Sequence, residues 1–288
     1  MKKILIIGAN GQLAHDLINV LNKSSEVIKA TRDDFDVTNY QECEKFIDFH
    51  KPQVVINTAA YHNTKLCEEN PEISFLVNAI GAYNVAKTSA KVNAKIIFFS
   101  TDYVFDGSKK TFNEQDSTNP LNVYGASKLA GENLTKVANT NYLIIRTTAL
   151  YGEKVSGKGH NFVLLMLEKA KTERAIEVVN DKYCSPTYSL DLSLKIKELI
   201  DKNIPSGTYH IVNQGSISWY QFARKIFQIK NIEVKVIPIS TDSKKDFIKR
   251  PKYSVLVTKK LESLRIPQLR SWDQALSDFL STKSLPLK

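Results

Sequence analysis

The chain has 288 residues, 42% hydrophobic and 24% charged, a balance that excludes a disordered or fibrous polymer and predicts a large buried core. Its net charge of +10 raises nucleic acid as a partner, yet the lysines are scattered, Asp246 interrupts the densest basic stretch, Lys244 to Lys252, and neither zinc-finger spacing nor an RNA-binding aromatic motif accompanies it; the reading is a solvated basic surface that also attracts anionic nucleotides. No apolar run approaches the roughly 20 residues that cross a bilayer, and Cys43, Cys67 and Cys184 lack CxxC spacing, which argues against a membrane partner, a disulfide framework or a zinc site and predicts a cytoplasmic protein with reduced thiols.

From the N-terminus, Lys3 to Ile7 reads as a short strand buried on both faces, followed by Gly8-Ala9-Asn10-Gly11-Gln12-Leu13-Ala14 and a helical pattern from Leu13 to Asn22. In such a turn Gly8 permits the tight bend, Gly11 lets the backbone approach a pyrophosphate, and the small Ala14 lets the helix pack close to the sheet, while the helix N-terminus stabilises the anion. An isolated string of this kind also occurs in ordinary strand-to-helix turns. Its place directly after a buried strand points to a dinucleotide, with Gly8, Asn10, Gly11, Gln12 and Leu13 as contacts.

The second strand, Val27 to Ala30, ends at Thr31-Arg32, where an acidic residue usually holds the adenosine ribose of NAD. A guanidinium and a hydroxyl suit the 2′-phosphate of NADP, whereas Asp33 and Asp34 can bond ribose hydroxyls, so NADP is the preferred cofactor and NAD the alternative. A solvent-facing loop residue is the competing reading of Arg32. Asp36 and Val37 stand where an adenine ring can be contacted.

Helical patterns at Gln41 to His50, Pro71 to Val92 and Tyr124 to Ala138 then alternate with short apolar strands at Val54 to Asn57, Lys95 to Ser100 and Tyr142 to Arg146. The alternation predicts an α/β fold, a doubly wound parallel (Rossmann) sheet with right-handed crossovers and function at the strand C-termini. The second of these strands, ending at Ser100, leads into Thr101-Asp102-Tyr103, so the Thr101 hydroxyl is expected beside the cofactor cleft, with Ser100 as the alternative. Tyr124 and Lys128 are four apart on a helix and share a face. A nearby ammonium favours the phenolate and brings a tyrosine, ordinarily titrating near pH 10, towards the working range, so the pair suits proton transfer to a developing alkoxide.

Beyond Tyr151 the pattern changes. A Gly- and charge-bearing segment, Gly152 to Asn161, leads to a helix at Phe162 to Lys171; a strand follows at Gly207 to Asn213, a helix at Trp219 to Phe227, a strand at Glu233 to Ile237 and a final helix at Ser271 to Leu280. Residues 1–151 are therefore expected to form the dinucleotide-binding domain and 152–288 a smaller substrate lobe, with about 187–213 returning to the sheet.

At these motifs the chain resembles the extended short-chain dehydrogenase/reductases and, within them, the dTDP-4-dehydrorhamnose reductase family. The resemblance runs through GANGQLA at Gly8 to Ala14, VINTAAY at Val54 to Tyr61, FFSTDYVFDG at Phe98 to Gly107, PLNVYGASKLAGE at Pro120 to Glu132, VVNDKYCSPTY at Val178 to Tyr188 and RPKYSVL at Arg250 to Leu256. It implies reduction of a 4-keto sugar on a nucleoside diphosphate, with Thr101, Tyr124 and Lys128 as the catalytic trio and Lys128 also holding the nicotinamide ribose. It further implies cofactor contacts from the loop Asn57 to Ala60, hence Ala59, Ala60 and Tyr61, and substrate contacts from Thr101, Asp102, Val104, Ala149, Tyr183, Pro186 and Arg250. Asn78 faces the cleft by analogy, with a structural helix asparagine as the other reading. Family members can be homodimers, so a homodimer is a possible assembly; no carboxylate cluster calls for a metal.

Two departures stand out. Ala149 occupies the position of a tryptophan that packs on the sugar, so another aromatic, Tyr151 or Tyr183, is expected to fill the pocket, and His62-Asn63-Thr64-Lys65 replaces a T-x-V-D loop, leaving His62 a substrate ligand or a solvated loop residue. Competing functions are a sugar-nucleotide epimerase or dehydratase, although Asp102-Tyr103 is not the Asp-Glu pair of a dehydratase, and a non-enzymatic NADP-binding regulatory subunit like the beta subunit of methionine adenosyltransferase.

Overall fold

The computed structural model describes residues 1–155, 159, 161–243 and 247–281; part of the Gly152 to Asn161 segment and Lys244 to Asp246 of the basic stretch lie outside the described residues. In chain order the elements are β1 (Lys2–Ile7), α1 (Gln12–Leu21), β2 (Ser25–Ala30), α2 (Tyr40–His50), β3 (Val54–Asn57), α3 (Thr64–Glu69), α4 (Pro71–Phe75), a π-helical turn at Leu76–Gly81, α5 (Ala82–Lys91), β4 (Lys95–Thr101), α6 (Val123–Ala138), β5 (Tyr142–Thr147) and β6 (Leu150–Tyr151). They continue with α7 (Phe162–Thr172), β7 (Ala175–Val179), β8 (Tyr183–Cys184), β9 (Thr187–Tyr188), α8 (Ser189–Asp201), β10 (Gly207–His210), β11 (Ile217–Ser218), α9 (Trp219–Lys230), β12 (Lys235–Ile239), β13 (Tyr253–Ser254), α10 (Lys259–Ser263) and α11 (Trp272–Ser281).

The apolar strands pair in the order β10-β5-β4-β3-β1-β2, every neighbour parallel, which is the doubly wound sheet expected from the sequence. Successive strand residues face opposite layers. Ile4, Ile6, Ile97, Phe99, Leu143 and Ile145 pack with α1 and α8 on one side, while Leu5, Ile7, Val55 and Ile96 pack with α2 and α5 on the other. The strand order reverses between β1 and β3, so their C-terminal loops diverge and leave a crevice there, the usual ligand position in an open α/β sheet.

The helix expected over Pro71 to Val92 is interrupted by the π turn. Inside that turn the Asn78 side chain accepts from the Tyr61 N–H at 2.8 Å and donates to the Tyr61 carbonyl at 2.8 Å and to Ser127 Oγ at 3.0 Å. One extra residue in the turn accompanies an asparagine that bonds sideways, a local demand invisible to a 3.6-residue period. Within residues 187–213, α8 lies on α1, and β10 pairs with β5. A second core, built from α7, α9 and α11, contains Val163, Met166, Phe222, Ile226, Leu276 and Phe279. Its strands β7 and β12 pair in parallel; β7 was not expected, and β12 runs two residues later than predicted. No helix among the described residues is long and apolar enough to cross a membrane. The three cysteines are buried.

Candidate active site

The crevice opens at the end of β1. Gly8 adopts φ +78°, and its N–H and that of Ala9 both donate to the Ala30 carbonyl, at 2.9 and 3.0 Å. A Cβ on Gly8 would lie 2.9 Å from the Ala59 nitrogen and from Thr58 Oγ1, so both the left-handed bend and the close approach of the β3 loop need glycine. No side chain caps α1, and Gly11, Gln12, Leu13 and Ala14 line the crevice; a helix N-terminus with uncapped amides in a tight glycine turn fits a pyrophosphate. Gln12 Oε1 also accepts from Asn161 Nδ2 at 3.2 Å, and the same nitrogen donates to the Gly152 carbonyl at 2.9 Å, tying this turn to the start of α7. Asn10 is exposed and does not line the cavity.

At the end of β2 the Arg32 side chain is 87% exposed and forms an ion pair with Asp36 at 3.2 Å, so a cation and a carboxylate stand side by side there. The Val37 side chain turns into the core with Phe35, Ile47 and Val85, so of the two residues expected at an adenine only Asp36 presents its side chain outward. Ala60 lines the cavity, Ala59 packs against the core, and Tyr61 is held through its backbone by Asn78.

From here a cavity of about 560 Å³ runs along the C-terminal ends of β4 and β5. Thr101, Tyr124 and Lys128 all line it. Thr101 Oγ1 donates to Asp102 Oδ1 at 3.0 Å and accepts from the Tyr103 N–H at 3.2 Å, while Ser100 donates its hydroxyl to Glu132 at 2.6 Å. Asn122 caps α6 by accepting from the Gly125 N–H at 2.8 Å, and Gly125, lacking a side chain, lets the helix press on the Tyr103 carbonyl. Tyr124, Lys128 and Glu132 then follow at four-residue spacing down one face.

Burial governs this face. It pushes the Lys128 ammonium down to about 7, against the opposing charge of Glu132, and its nitrogen sits 4.0 Å from the centroid of the Phe98 ring. It also raises the Tyr124 phenol well above the ordinary tyrosine range, with the Asp102 carboxylate adding to the effect and a Thr101 hydrogen bond opposing it. The direction is opposite to the lowering expected from Lys128: desolvation is the largest influence on the phenol and favours its protonated form. Glu132 is fully buried and accepts from Arg146 Nε at 2.8 Å and Nη2 at 2.7 Å. Motif reading passed over its role, although its position one turn after Lys128 was a signal.

Asp102, buried beside Thr101, is pushed up to about 6 by desolvation, against hydrogen bonds from Ser254, Thr101, its own backbone and Thr148. A carboxyl that titrates near 6 when folded and near 3.8 when exposed costs no stability below its unfolded value, a growing amount between the two, and the full amount above. Asp102→Asn keeps the shape without the charge, so it is expected to raise stability at pH 8 by up to roughly 3 kcal/mol and to change little at pH 3.5. Melting curves at both pH values test this; an equal difference at the two would refute it.

The remaining expected contacts divide. Ala149 lines the cavity in the left-handed region at φ +47°, and Tyr183 and Arg250 line it too. Val104 does not: the 3₁₀ turn Asp102–Val104 presents Asp102 and Tyr103 to the cavity and sends Val104, fully buried, into a core with Phe105, Phe112, Val212 and Leu256. Pro186 is likewise buried off the cavity, as the chain passes from β8 to β9 and Ser185 anchors to the Gly215 carbonyl at 2.9 Å. Tyr151 belongs to the second core, stacked on Tyr188 with centroids 5.6 Å apart, and does not fill the space left by Ala149. Aromatic surface comes instead from Tyr183, stacked on Tyr253, and from two residues the sequence reading missed, Phe162 and Trp219, whose centroids are 4.6 Å apart. His62 is half-buried and lines the cavity wall. Lys182, also missed, lines the wall and donates to the Arg250 carbonyl at 2.5 Å.

With this geometry in view, comparisons with known proteins are consistent over nearly the whole chain. A family model described as the RmlD substrate binding domain matches residues 1–284. The spore coat polysaccharide biosynthesis protein SpsK of Bacillus subtilis is 35% identical over 286 residues, covering 99% of each chain. A dTDP-4-dehydrorhamnose reductase of Clostridium acetobutylicum superposes with a TM-score of 0.91 at 42% identity, covering 96% of this chain and 98% of that one. The dTDP-4-dehydrorhamnose reductase of Bacillus anthracis, solved in complex with NADP, superposes with a TM-score of 0.92 at 38% identity, covering 97% and 98%.

Proposed function

The chain belongs to the RmlD substrate binding domain family, that of the dTDP-4-dehydrorhamnose reductases, and from that membership we propose that it reduces the 4-keto group of a nucleoside-diphosphate sugar at the expense of NADPH or NADH. The observation that carries the reading is a single cavity with a glycine turn and uncapped helix N-terminus at one end and Thr101, Tyr124 and Lys128 along its wall.

The hydride would come from NADPH or NADH when bound. Gly8, Gly11, Gln12 and Leu13 would hold its diphosphate, and Arg32 or Asp36 would meet the adenosine ribose according to whether a 2′-phosphate is present. Thr101 turns its hydroxyl from Asp102 to donate to the keto oxygen and positions it against Tyr124. Tyr124, its proton retained by burial, donates that proton as the oxygen becomes an alkoxide; Lys128, poised near neutrality, carries the charge that stabilises the phenolate left behind. A raised tyrosine suits an acid that must hold its proton until the transition state.

The test is stoichiometric. The purified protein with a dTDP-4-keto-6-deoxy sugar is expected to consume one NADPH per sugar reduced, with NADH compared in parallel. Interconversion of sugars without net cofactor consumption would favour an epimerase, and tight cofactor binding without turnover would favour the regulatory subunit.

A further inference from the structure

We propose that Asn122 is a positioning residue with two separable duties: its side-chain oxygen holds the start of the helix that carries Tyr124 and Lys128, and its side-chain nitrogen holds the segment that brings Arg250 to the same cavity. One amide thereby fixes where the proton donor stands relative to a cation suited to an anionic substrate. The inference rests on the sugar-nucleotide reading above for what Arg250 meets, but not for the clasp itself.

Asn122 is buried and extended just ahead of α6, at φ −145° and ψ 162°. Its Oδ1 accepts from the Gly125 N–H at 2.8 Å, the bond of an ordinary helix cap. A cap uses only the oxygen, so serine or threonine would serve there too. Asparagine adds a donor, and here the donor is used: Nδ2 donates to the Lys249 carbonyl at 2.9 Å, 127 residues away in the chain. With an N–H on one side and a carbonyl on the other, the partners decide which end of the amide is which.

The residue after Lys249 is the cation. Arg250 and Pro251 line the cavity; the Arg250 guanidinium donates to the Tyr103 hydroxyl, and its Nη2 lies 3.5 Å from Thr64 Oγ1. Thr64 opens α3, and Glu68 of that helix accepts at 2.8 Å from the Val123 N–H, the first amide of α6. The contacts close a ring at the mouth of the cavity, from Asn122 to Lys249, from Arg250 to Thr64, and from Glu68 back to Val123. Downstream of Arg250 the segment is anchored by the Tyr183 N–H, which donates to the Lys252 carbonyl at 2.9 Å. Upstream, Asn122 supplies the anchor and ties it to the helix of the proposed acid.

Substitutions separate the two duties. Asn122→Ser, or Asn122→Thr as a second variant, keeps an oxygen for Gly125 but is too short to reach Lys249, an exposed residue whose carbonyl can turn to water. Asn122→Ala loses both bonds. In amide hydrogen exchange on the whole chain, Asn122→Ser is expected to speed exchange in residues 249–254 by about tenfold and to leave residues 123–128 at the wild-type rate, whereas Asn122→Ala should speed both. In NADPH oxidation with a dTDP-4-keto-6-deoxy sugar, Asn122→Ser should raise KM for the sugar nucleotide about tenfold, with kcat within about threefold and KM for NADPH within about twofold of wild type. Asn122→Ala should lower kcat as well, and lower the melting temperature by about 2–4 °C.

Wild-type exchange at 249–254 in Asn122→Ser and Asn122→Thr, or an equal change at 123–128, would overturn the clasp. A lower kcat with KM unchanged would overturn the division of duties, because Asn122 would then act through Tyr124 alone. A wild-type chain that oxidises no NADPH with the sugar would instead remove the sugar-nucleotide reading, and the exchange rates would still decide the clasp.

Discussion

Tyr124→Phe is expected to lower kcat by about 10²-fold or more, with NADPH affinity and melting temperature close to those of the wild-type protein. The hydroxyl is the only group removed. The ring remains against Tyr103, the Asn122 cap and the Gly125 approach to the Tyr103 carbonyl are untouched, and the loss of a buried hydroxyl bonded to Thr101 is small beside the core. What disappears is the proton held ready for the alkoxide. Single-turnover NADPH oxidation separates this from a binding defect: chemistry slows while the cofactor dissociation constant holds. A variant with near-normal single-turnover rate would mean that water or another side chain delivers the proton, and Tyr124 would lose its role.

A large effect on stability is expected from Glu132→Gln. Glu132 and Arg146 form a two-pronged ion pair with almost no solvent access, and Ser100 donates to the same carboxylate. Removing one charge strands the guanidinium, one of whose nitrogens, Nη1, is already buried without a hydrogen-bond partner. Such a half-broken pair costs on the order of 3–5 kcal/mol, and Arg146→Met in the same chain should recover part of it by removing the stranded charge. Urea unfolding of the single and double variants measures both.

A second signature separates Glu132 from an ordinary structural residue. Its charge is what opposes the burial of Lys128, so without it the ammonium should titrate further below about 7, and the alkaline limb of the pH–rate profile should move to lower pH. The direction follows from the charge: a lost anion disfavours the cation. An unshifted limb in a folded Glu132→Gln protein would leave Glu132 with packing alone.

Much of the scaffold could be read from residues 1–151, because strands buried on both faces are short apolar runs and the helices between them are amphipathic at a helical period. The glycine turn, Thr101, Tyr124 and Lys128 were legible for a related reason: each sits at a fixed offset from a strand end or on one helix face. The lobe was less legible. Its strands β8, β9, β11 and β13 have two residues each, too short for any period, and they bring Lys182, Trp219 and Arg250 together from segments distant in the chain. Val104 and Pro186 were misplaced because a family motif says which residues travel together but not which way each points; a 3₁₀ turn and a β8-to-β9 crossing decided that. Tyr124 and Lys128 titrate opposite to simple pairing logic because burial, which the sequence does not quantify, dominates both.

The late arrival of β10 has a consequence for how the protein is made. β5 carries a fully buried apolar run, Leu143, Ile144 and Ile145, yet one of its edges is closed only by Gly207–His210, after the whole of α7 and α8. On the ribosome that edge stays unpaired while the intervening chain emerges, a template for mispairing with other nascent chains. A truncated product ending before Gly207 would carry the hazard permanently, so aggregation, more than loss of the lobe's own contacts, would govern the fate of shortened forms.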